Sequence, residues 1–339
     1  MLSLVAGAVL AGSLALSAGA APLCFEDATG RKMTIQAPVK RLVALNSDAL
    51  EALLILKAKN AAVGVFAEIT KEPAFFGDCA ALPKVGSWRD PDPESIVALK
   101  PDAVITYAKT PSPALEEKLA AFGIAVIRLD FYRLHSLERE MTVLGQILGR
   151  EKEAAAFCAW HHARLSAITK RVSQLSSRPR VYVESYSDFH AAGNNTGGNE
   201  MVLAAGGYNI ALVFPVPYPR VNPEWVVAQN PDVILKAASW GNGYGQKDAG
   251  KFNALRNALA RRPAWGGMRA VSSGRVHVMD SEIWVGPRSI VGVAMLARWL
   301  HPGLFDDLDP RALHREFMET FLGVPFKGVY FSDGPVVKK

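Results

Sequence analysis

Several segments of the chain carry aromatic, arginine and histidine side chains of the kind that bind a flat or anionic ligand. Aromatic rings stack on flat ligands, and guanidinium groups pair with carboxylates through two hydrogen bonds. The candidate ligand-binding residues are Trp88, Arg89, Tyr186, His190, Asn194, Asn195, Thr196, Tyr218, Arg220, Trp240, Trp284 and Arg288.

The stretch SYSDFHAAGNNTGGNE contains the strongest cluster of polar candidates. Its Asn194–Thr196 loop leads through two glycines into a predicted helix, and such backbone presents free N–H groups to an anion. Tyr186 and His190 are the side chains that could contact a bound metal. His161 and His162 would point in different directions from a helix, which argues against a metal site shared by that pair.

The sequence offers little that would support catalysis. It contains no G-x-S-x-G, no H-E-x-x-H and no P-loop motif. Asp188 and His190 form the single acid/base pair to be considered, and two residues do not make a mechanism. We therefore expect a binding protein and not an enzyme, with an exported metalloenzyme as the remote alternative.

Composition favours an ordered protein of two ordinary domains. The chain has 339 residues and a net charge of +6, without a block of lysine and arginine that would indicate nucleic-acid binding. We expect a monomer with a mild preference for anionic ligands.

The first twenty residues are uncharged and apolar, and they end in the small residues of an A-x-A cleavage site at Ala18–Ala20. We expect a cleavable signal peptide over residues 1–20 and export to the periplasm, with a transmembrane anchor as the alternative. Export permits disulfides. Cys24 and Cys79 both lie outside predicted helices and are the expected pair, the alternative being that they and Cys158 are free thiols.

A sequence segment that predicts a helix followed by a strand occurs twice in the chain. PDPESIVALKPDAVI and VNPEWVVAQNPDVIL each read as a capped helix followed by a buried strand, with Pro93 and Pro223 130 positions apart. The surrounding βαβα alternation predicts an α/β fold of two doubly wound, Rossmann-like lobes with mostly parallel sheets. We expect an N-terminal lobe over 21–134 and a C-terminal lobe over 177–339. Residues 135–176 should form the connecting helix, as one long helix or two nearly in line.

The chain resembles the periplasmic substrate-binding proteins of ABC importers for iron–siderophores, haem and cobalamin. The motifs that carry the resemblance are FEDATGRKMTI, KRLVALNSDALEALLIL, LPKVGSWRDPDPESIVALKPDAVITY, GNEMVLAAGGYNIA and VNPEWVVAQNPDVIL. The resemblance implies two lobes joined by a single backbone helix, with the ligand in the cleft between them. In cobalamin-binding relatives, Trp88 and Tyr218 would fall at aromatic positions that line this cleft.

The resemblance also implies partners. A surface glutamate on each lobe, here Glu94 and Glu224, would dock onto the permease dimer, which works with its ATPase. The expected ligand is a small metal chelate, with an iron–siderophore ranked first and no covalent cofactor. That ranking makes an Fe(III) chelate the expected bound species, while cobalamin, haem and a molybdate-type oxyanion remain open.

Overall fold

The computed structural model describes residues 21–240 and 243–332, so the expected signal peptide lies outside the described residues. The N-terminal lobe is built on a four-stranded parallel sheet in the order β4-β3-β5-β6, preceded by an antiparallel hairpin. The hairpin strands are β1 (Ala21–Glu26) and β2 (Lys32–Ala37), and the sheet strands are β3 (Leu42–Ala44), β4 (Ala62–Val65), β5 (Ala103–Thr106) and β6 (Ala125–Arg128). The α-helices of this lobe are α1 (Ser47–Ile55), α2 (Pro73–Phe76), α3 (Pro93–Ala98) and α4 (Ala114–Ala120).

The C-terminal lobe contains a second parallel sheet, in the order β10-β9-β7-β8. Its strands are β7 (Arg180–Glu184), β8 (Tyr208–Asn209), β9 (Val233–Ala238) and β10 (Val276–Asp280). Its helices are α7 (Gly197–Ala204), α8 (Pro223–Gln229), α9 (Gly250–Ala260), α10 (Arg269–Ser272), α11 (Ser281–Trp284), α12 (Ser289–Leu300) and α13 (Pro310–Phe317), and a π-helical turn over Met318–Leu322 follows α13.

Both faces of each sheet are covered by apolar side chains, which confirms the doubly wound α/β architecture. Along β3, Leu42 and Ala44 belong to one buried cluster and Val43 to another on the opposite face. Along β7, Val181 and Tyr182 are divided between two clusters in the same way. Alternate side chains of a strand point to opposite faces, so a sheet buried on both sides needs this pattern.

The two lobes repeat the same topology. In each sheet the first strand is flanked by the second and the third, and the fourth lies outside the third. The repeated helices α3 and α8 stand before the equivalent strands β5 and β9. Their caps also match, because Asp92 accepts a hydrogen bond from the Glu94 N–H at 3.0 Å and Asn222 accepts one from the Glu224 N–H at 2.8 Å. The internal repeat read from the sequence is therefore a structural repeat.

The segment 135–176 forms two helices that are not in line. They are α5 (Leu137–Leu148) and α6 (Glu151–Val172). Gly149 closes α5 in the left-handed conformation at φ 62°, and the chain reverses there. Glu138 then lies 2.8 Å from the His161 ring, between Oε1 and Nδ1, so α5 and α6 pack as an antiparallel hairpin.

The long helix α6 joins the lobes, and α5 belongs to the N-terminal lobe. Ala154 and Phe157, in the first half of α6, are part of the N-terminal core. Ile168 and Val172, near its end, are part of the C-terminal core. One 22-residue helix therefore spans both hydrophobic cores, as the resemblance implied, but it is shorter than the predicted connecting segment.

The chain crosses to the N-terminal lobe around the end of α13 and then returns to the C-terminal lobe, where Tyr330 is buried, so the expected lobe 177–339 is interrupted. Phe317, Met318 and Phe321 are buried in the N-terminal core. The Lys57 ammonium group donates to the Thr320 carbonyl at 3.2 Å. Two segments, α6 and the stretch after α13, therefore connect the lobes, and this second connection stiffens their relative placement.

The expected Cys24–Cys79 disulfide is wrong. Cys24 is exposed on β1, where its sulfur lies 3.3 Å from the Thr34 hydroxyl on the paired strand. Cys79 is buried in the core of the N-terminal lobe, and burial raises the pKa of its thiol. Cys158 is also a free thiol. Across the described ranges, no helix is both long and apolar enough to cross a membrane.

Candidate functional site

A cavity of about 340 Å³ lies between the lobes, beyond the carboxyl ends of six parallel strands. Ligands of doubly wound sheets bind at this edge, because loops and helix starts converge there. The lining residues that follow strand ends are Asn46, Ser47 and Asp48 after β3, Phe66 after β4, Tyr107 after β5, Tyr186 after β7, Ser239 and Trp240 after β9, and Ser281 and Glu282 after β10. Both lobes therefore contribute strand ends to one site, and those of β3 and β5 are equivalent to those of β7 and β9.

Aromatic rings form opposite walls of this cavity. On the N-terminal side, Trp88 meets Tyr107 edge to face with ring centroids 5.8 Å apart. On the C-terminal side, Tyr186 and Trp240 keep 47% and 41% of their surface exposed, so their ring faces remain open to a ligand. Aromatic rings of both lobes therefore line the cavity, and such rings are suited to contacts with a flat molecule.

The floor of the cavity is acidic. Only Lys71 and Arg288 contribute positive charge to the described lining, whereas the carboxyl groups that line it are those of Asp48, Glu51, Glu68, Glu72 and Glu282. An anion entering this cavity would face carboxylates at short range in a partly desolvated space, where charge repulsion is strong.

Arg288 is bound to carboxylates of both lobes. Its Nε donates to Glu51 Oε1 at 3.0 Å, and Glu51 belongs to α1 of the other lobe. Its Nη1 donates to Glu282 Oε2 at 3.2 Å, and its guanidinium lies 4.5 Å from the Phe75 ring centre. The side chain is 3% exposed. Arg288 therefore lines the cavity as an inter-lobe bridge and has little capacity left for an anionic ligand.

Burial sets the ionisation of the neighbouring acids. Desolvation raises the pKa of Asp48 to about 6 and that of Glu51 to about 7, although Arg288 opposes both shifts. Burial and the Glu282 carboxylate also raise the pKa values of Glu72 and Asp280. The Arg288 guanidinium keeps its charge. The carboxyl groups around it are partly protonated near neutral pH.

Three of the predicted ligand residues stand open in the cavity wall, namely Trp88, Tyr186 and Trp240. Arg89 is exposed beside them, with its guanidinium 4.5 Å above the Trp88 ring. Arg288 lines the cavity in the bridging role described above. Tyr186 lines the cavity, and desolvation of its hydroxyl in the cleft raises its pKa.

The other predicted residues lie outside the cavity lining. Trp284 is buried in the C-terminal core against α7, where a Cβ on Gly198 would come within 2.4 Å of its ring. Thr196 is buried as the N-cap of α7 and accepts a hydrogen bond from the Asn199 N–H. The exposed or half-exposed side chains that remain outside are His190, Asn194, Asn195, Tyr218 and Arg220.

The Asp188 and His190 pair is not an acid/base couple. The Asp188 carboxylate pairs with Arg262 at 2.9 Å and with Lys236 at 3.4 Å. The His190 ring nitrogen Nδ1 meets the Asp188 backbone carbonyl instead, at 3.1 Å. No group of three or more His, Cys, Asp or Glu side chains in the described part of the chain is arranged to hold a metal ion.

The sequence analysis missed the acidic floor and Tyr107. The signal was available, because Asn46 and Asp48 follow the strand RLVAL and stand at the edge where ligands bind. Glu51 gave no such signal, since it reads as a surface position of an amphipathic helix. Its burial depends on Arg288, which arrives from the other lobe.

The two glutamates expected to face a partner are exposed. Glu94 and Glu224 stand in the first turn of α3 and of α8, at equivalent positions of the two lobes. Neither carboxylate lines the cavity.

Comparison with known proteins gives a consistent picture. The family described as periplasmic binding protein matches residues 42–283. A cobalamin-binding protein of Halobacterium salinarum is 30% identical over 222 residues, which cover 64% of this chain but only 59% of that relative. The uncharacterized ABC transporter substrate-binding lipoprotein YvrC of Bacillus subtilis is 25% identical over 295 residues, 84% of this chain and 88% of its own.

A solved structure extends the comparison to the fold. The TroA-like periplasmic binding protein FepB from Veillonella parvula superposes with a TM-score of 0.77 at 24% identity. The superposition covers 91% of this chain and 99% of that one. The two-lobe architecture is therefore shared along nearly the whole length of both chains.

Proposed function

The chain belongs to the periplasmic binding protein family, and on that basis we propose that it captures a corrinoid, a cobalamin-type ring, for an ABC importer. The family consists of substrate-binding components of transport systems. The cobalamin-binding relative supports the corrinoid as the ligand class. The observation that carries the proposal is the cavity itself, which has aromatic walls and an acidic floor.

A corrinoid fits this chemistry because its ring is broad and its side arms end in neutral carboxamides. The rings of Trp88 and Trp240 offer stacking surfaces to the macrocycle. The carboxylates of the floor offer hydrogen-bond acceptors to amide N–H groups. The enclosed part of the cavity takes the edge of such a ligand, and the remainder extends through the open cleft.

Anionic chelates fit less well, including the iron–siderophore that the sequence analysis ranked first. A ferric tricatecholate or molybdate would bring negative charge towards Asp48, Glu51 and Glu282. Arg288 cannot compensate, since it is already paired with two of them. Lys71 in the lining and Arg89 beside Trp88 offset this repulsion in part, but both side chains are exposed to water, which weakens their attraction for an anion.

Haem is disfavoured on two grounds. Its propionates would meet the same carboxylates, and it needs an axial ligand. His190 lies outside the cavity lining, and desolvation of the Tyr186 hydroxyl in the cleft raises its pKa and opposes its ionisation as an axial ligand. Among the described residues that line the cavity there is no histidine.

Delivery requires an exported protein and a partner. We propose that residues 1–20 direct export to the periplasm and that Glu94 and Glu224 dock onto the two permease subunits of the importer. The support is their exposure at equivalent positions of a repeated fold. Charged pairs of this kind set orientation and register in a complex more than affinity.

Isothermal titration of the mature protein with a ligand panel tests the ligand class. The panel holds cyanocobalamin, cobinamide, haemin, a ferric tricatecholate and molybdate. We expect saturable binding of the two corrinoids, with affinities at least about tenfold above those of the three anionic ligands, which corresponds to ~1.4 kcal/mol. Tight binding of the ferric chelate without corrinoid binding would overturn the proposal.

A further inference from the structure

The amide nitrogen of Asn46 is a buried hydrogen-bond donor that has no protein partner. Asn46 lines the cavity and is 2% exposed. Its Oδ1 accepts a hydrogen bond from the Ala49 N–H at 2.8 Å, which fixes the orientation of the amide. Its Nδ2 finds no hydrogen-bond partner among the described residues. A buried unpaired donor is rare in a folded protein, because its desolvation is not compensated.

Hydrogen-bond acceptors follow this donor along the start of α1 and line the same cavity. Asp48 lines the cavity two residues further on and is half-buried, and its Oδ2 accepts from the Tyr107 hydroxyl at 2.7 Å. Glu51 lies one helical turn beyond and is bound to Arg288. A carboxylate has several acceptor positions, and the Tyr107 hydroxyl uses only one of those on Asp48.

The start of α1 therefore presents a donor next to acceptors, and this combination selects among ligand groups. A bare helix N-terminus with a free amide donor would attract an anion. Here Asp48 and Glu51 would repel one. A neutral group that both accepts and donates satisfies each side at once.

We propose that Asn46 and Asp48 form a subsite that binds one primary carboxamide arm of the ligand and rejects a carboxylate in its place. The carboxamide carbonyl accepts from Asn46 Nδ2, and the carboxamide NH₂ donates to the Asp48 carboxylate. This inference rests on the proposed function, since corrinoids carry such arms. A site built to bond both halves of an amide discriminates strongly, because an arm of the wrong kind leaves buried groups unpaired.

Two substitutions of Asn46 separate this role from its role as a helix cap. Asn46→Asp and Asn46→Ser both keep a side-chain oxygen that can cap α1, since Asp, Asn and Ser are comparable N-caps. Each removes the NH₂ donor, the first with an added negative charge and the second without. Asn60→Asp is the matched control, because Asn60 is exposed and does not line the cavity.

The experiment is isothermal titration of the unchanged protein and these variants at about pH 7.5, above the pKa of about 6 that burial gives Asp48. The two ligands are cobinamide, whose arms are amides, and cobyrinic acid, whose arms are carboxylates. We expect Asn46→Ser to weaken cobinamide binding by about tenfold and Asn46→Asp by more. Neither should weaken cobyrinic acid binding comparably, and Asn60→Asp should match the unchanged protein.

Cobinamide binding that survives both Asn46 substitutions unchanged would overturn the subsite and leave the corrinoid function standing. Equal losses of affinity for cobinamide and cobyrinic acid would overturn it as well, since the Asn46 amide would then not distinguish a carboxamide from a carboxylate. Failure of the unchanged protein to bind either corrinoid would instead overturn the proposed function and the subsite together. Thermal unfolding of each variant shows whether α1 remains capped, and if one variant is unfolded the other decides.

Discussion

At the scale of single residues, Arg288 holds the two lobes together. The sequence analysis expected this arginine to grip an anionic chelate. The structure instead places it between Glu51 of the N-terminal lobe and Glu282 of the C-terminal lobe, with almost no exposed surface. Removing one member of a buried ion network leaves the others uncompensated, and this cost exceeds the net stabilisation that the intact network gives.

We predict that Arg288→Met lowers the free energy of unfolding by about 3–5 kcal/mol, because Glu51 and Glu282 lose their shared cation in a buried site. Urea unfolding followed by circular dichroism measures the change. Arg89→Met is the matched control, since Arg89 is exposed and its cation–π contact with Trp88 contributes only about 0.5–1 kcal/mol.

The double variant Arg288→Met/Glu51→Gln checks the cause of this loss. It removes one of the two carboxylates that the single substitution leaves without their cation, so it should recover part of the lost stability. A double variant no more stable than Arg288→Met would show that packing, not charge, explains the loss.

The buried acids predict that stability decreases as the pH rises. Burial raises the pKa of Asp48 from 3.8 to about 6 and that of Glu51 from 4.5 to about 7. Between the ordinary and the raised pKa values, the folded state binds more protons than the unfolded state. The free energy of unfolding therefore falls as the pH rises through this window. The effect begins above the ordinary carboxyl pKa and is complete once the pH exceeds the raised values.

Thermal unfolding at about pH 5.5 and about pH 8 measures this dependence, with Glu72→Gln as the diagnostic variant. Burial and Glu282 raise the pKa of Glu72 too, so the neutral glutamine should stabilise the protein by about 1–2 kcal/mol at the higher pH. Glu117→Gln on the surface of α4 should change nothing. A Glu72→Gln variant that gains no more stability at about pH 8 than at about pH 5.5 would contradict the account. This comparison cancels the opposite effect of the buried His277 and His314, whose lowered pKa values make stability rise with pH.

The residues of the site were only partly predictable. Trp88, Tyr186 and Trp240 were identified because an aromatic beside a strand end is itself a signal. Trp284 carried the same signal but packs into the C-terminal core, and sequence alone does not tell these outcomes apart. Glu51 could not be found at all, because the group that makes it functional is Arg288, 237 positions away.

At the scale of elements, the α5–α6 hairpin is the largest departure from the sequence reading. The apolar spacing before Gly149 indicated a helix correctly. It could not show that the chain turns back, because a left-handed glycine and a continuing helix leave the same apolar pattern. In contrast, the helices α3 and α8 were predictable with their caps, since capping is local chemistry encoded within three residues.

We predict that Gly149→Ala destabilises the protein by about 1–2 kcal/mol, because an L-residue pays that cost in the left-handed conformation. Steric overlap does not contribute to this loss of stability, since a Cβ at position 149 would lie 3.5 Å from the nearest atom, in Pro38. Urea unfolding gives the value. Gly266→Ala is the control, as a Cβ at Gly266 would meet nothing within 4 Å and its φ is not positive. Equal effects at both positions would remove the conformational explanation.

At the scale of the whole molecule, the repeated fold presents two similar faces to a partner. Lobes with the same strand order place Glu94 and Glu224 at equivalent helix starts, outside the ligand cavity. The two proposed docking residues are therefore separate from the groups that line the cavity. The overall two-lobe fold was predictable because periodicity, caps and the repeat all indicated it, while the returning C-terminal segment was not.

We predict that Glu94→Ala/Glu224→Ala reduces ligand uptake by cells that carry the importer to background, because both docking charges are lost. Corrinoid affinity of the purified variant should stay within about twofold, since neither residue lines the cavity. Glu117→Ala/Glu319→Ala removes the same charge from two other exposed positions and should transport normally. Loss of corrinoid affinity in the docking variant would exclude a separate docking role.

The central claim is that a corrinoid binds between the lobes, against Trp88 and Trp240, and tryptophan fluorescence tests it most directly. Cyanocobalamin absorbs in the range of tryptophan emission, so a bound corrinoid should quench the seven tryptophans of the protein saturably. Trp88→Phe/Trp240→Phe should raise the dissociation constant by about tenfold or more, because both rings line the cavity. Trp225→Phe/Trp299→Phe, outside it, should leave the constant unchanged. Equal affinities for the two double variants, or no quenching of the unchanged protein, would contradict the account.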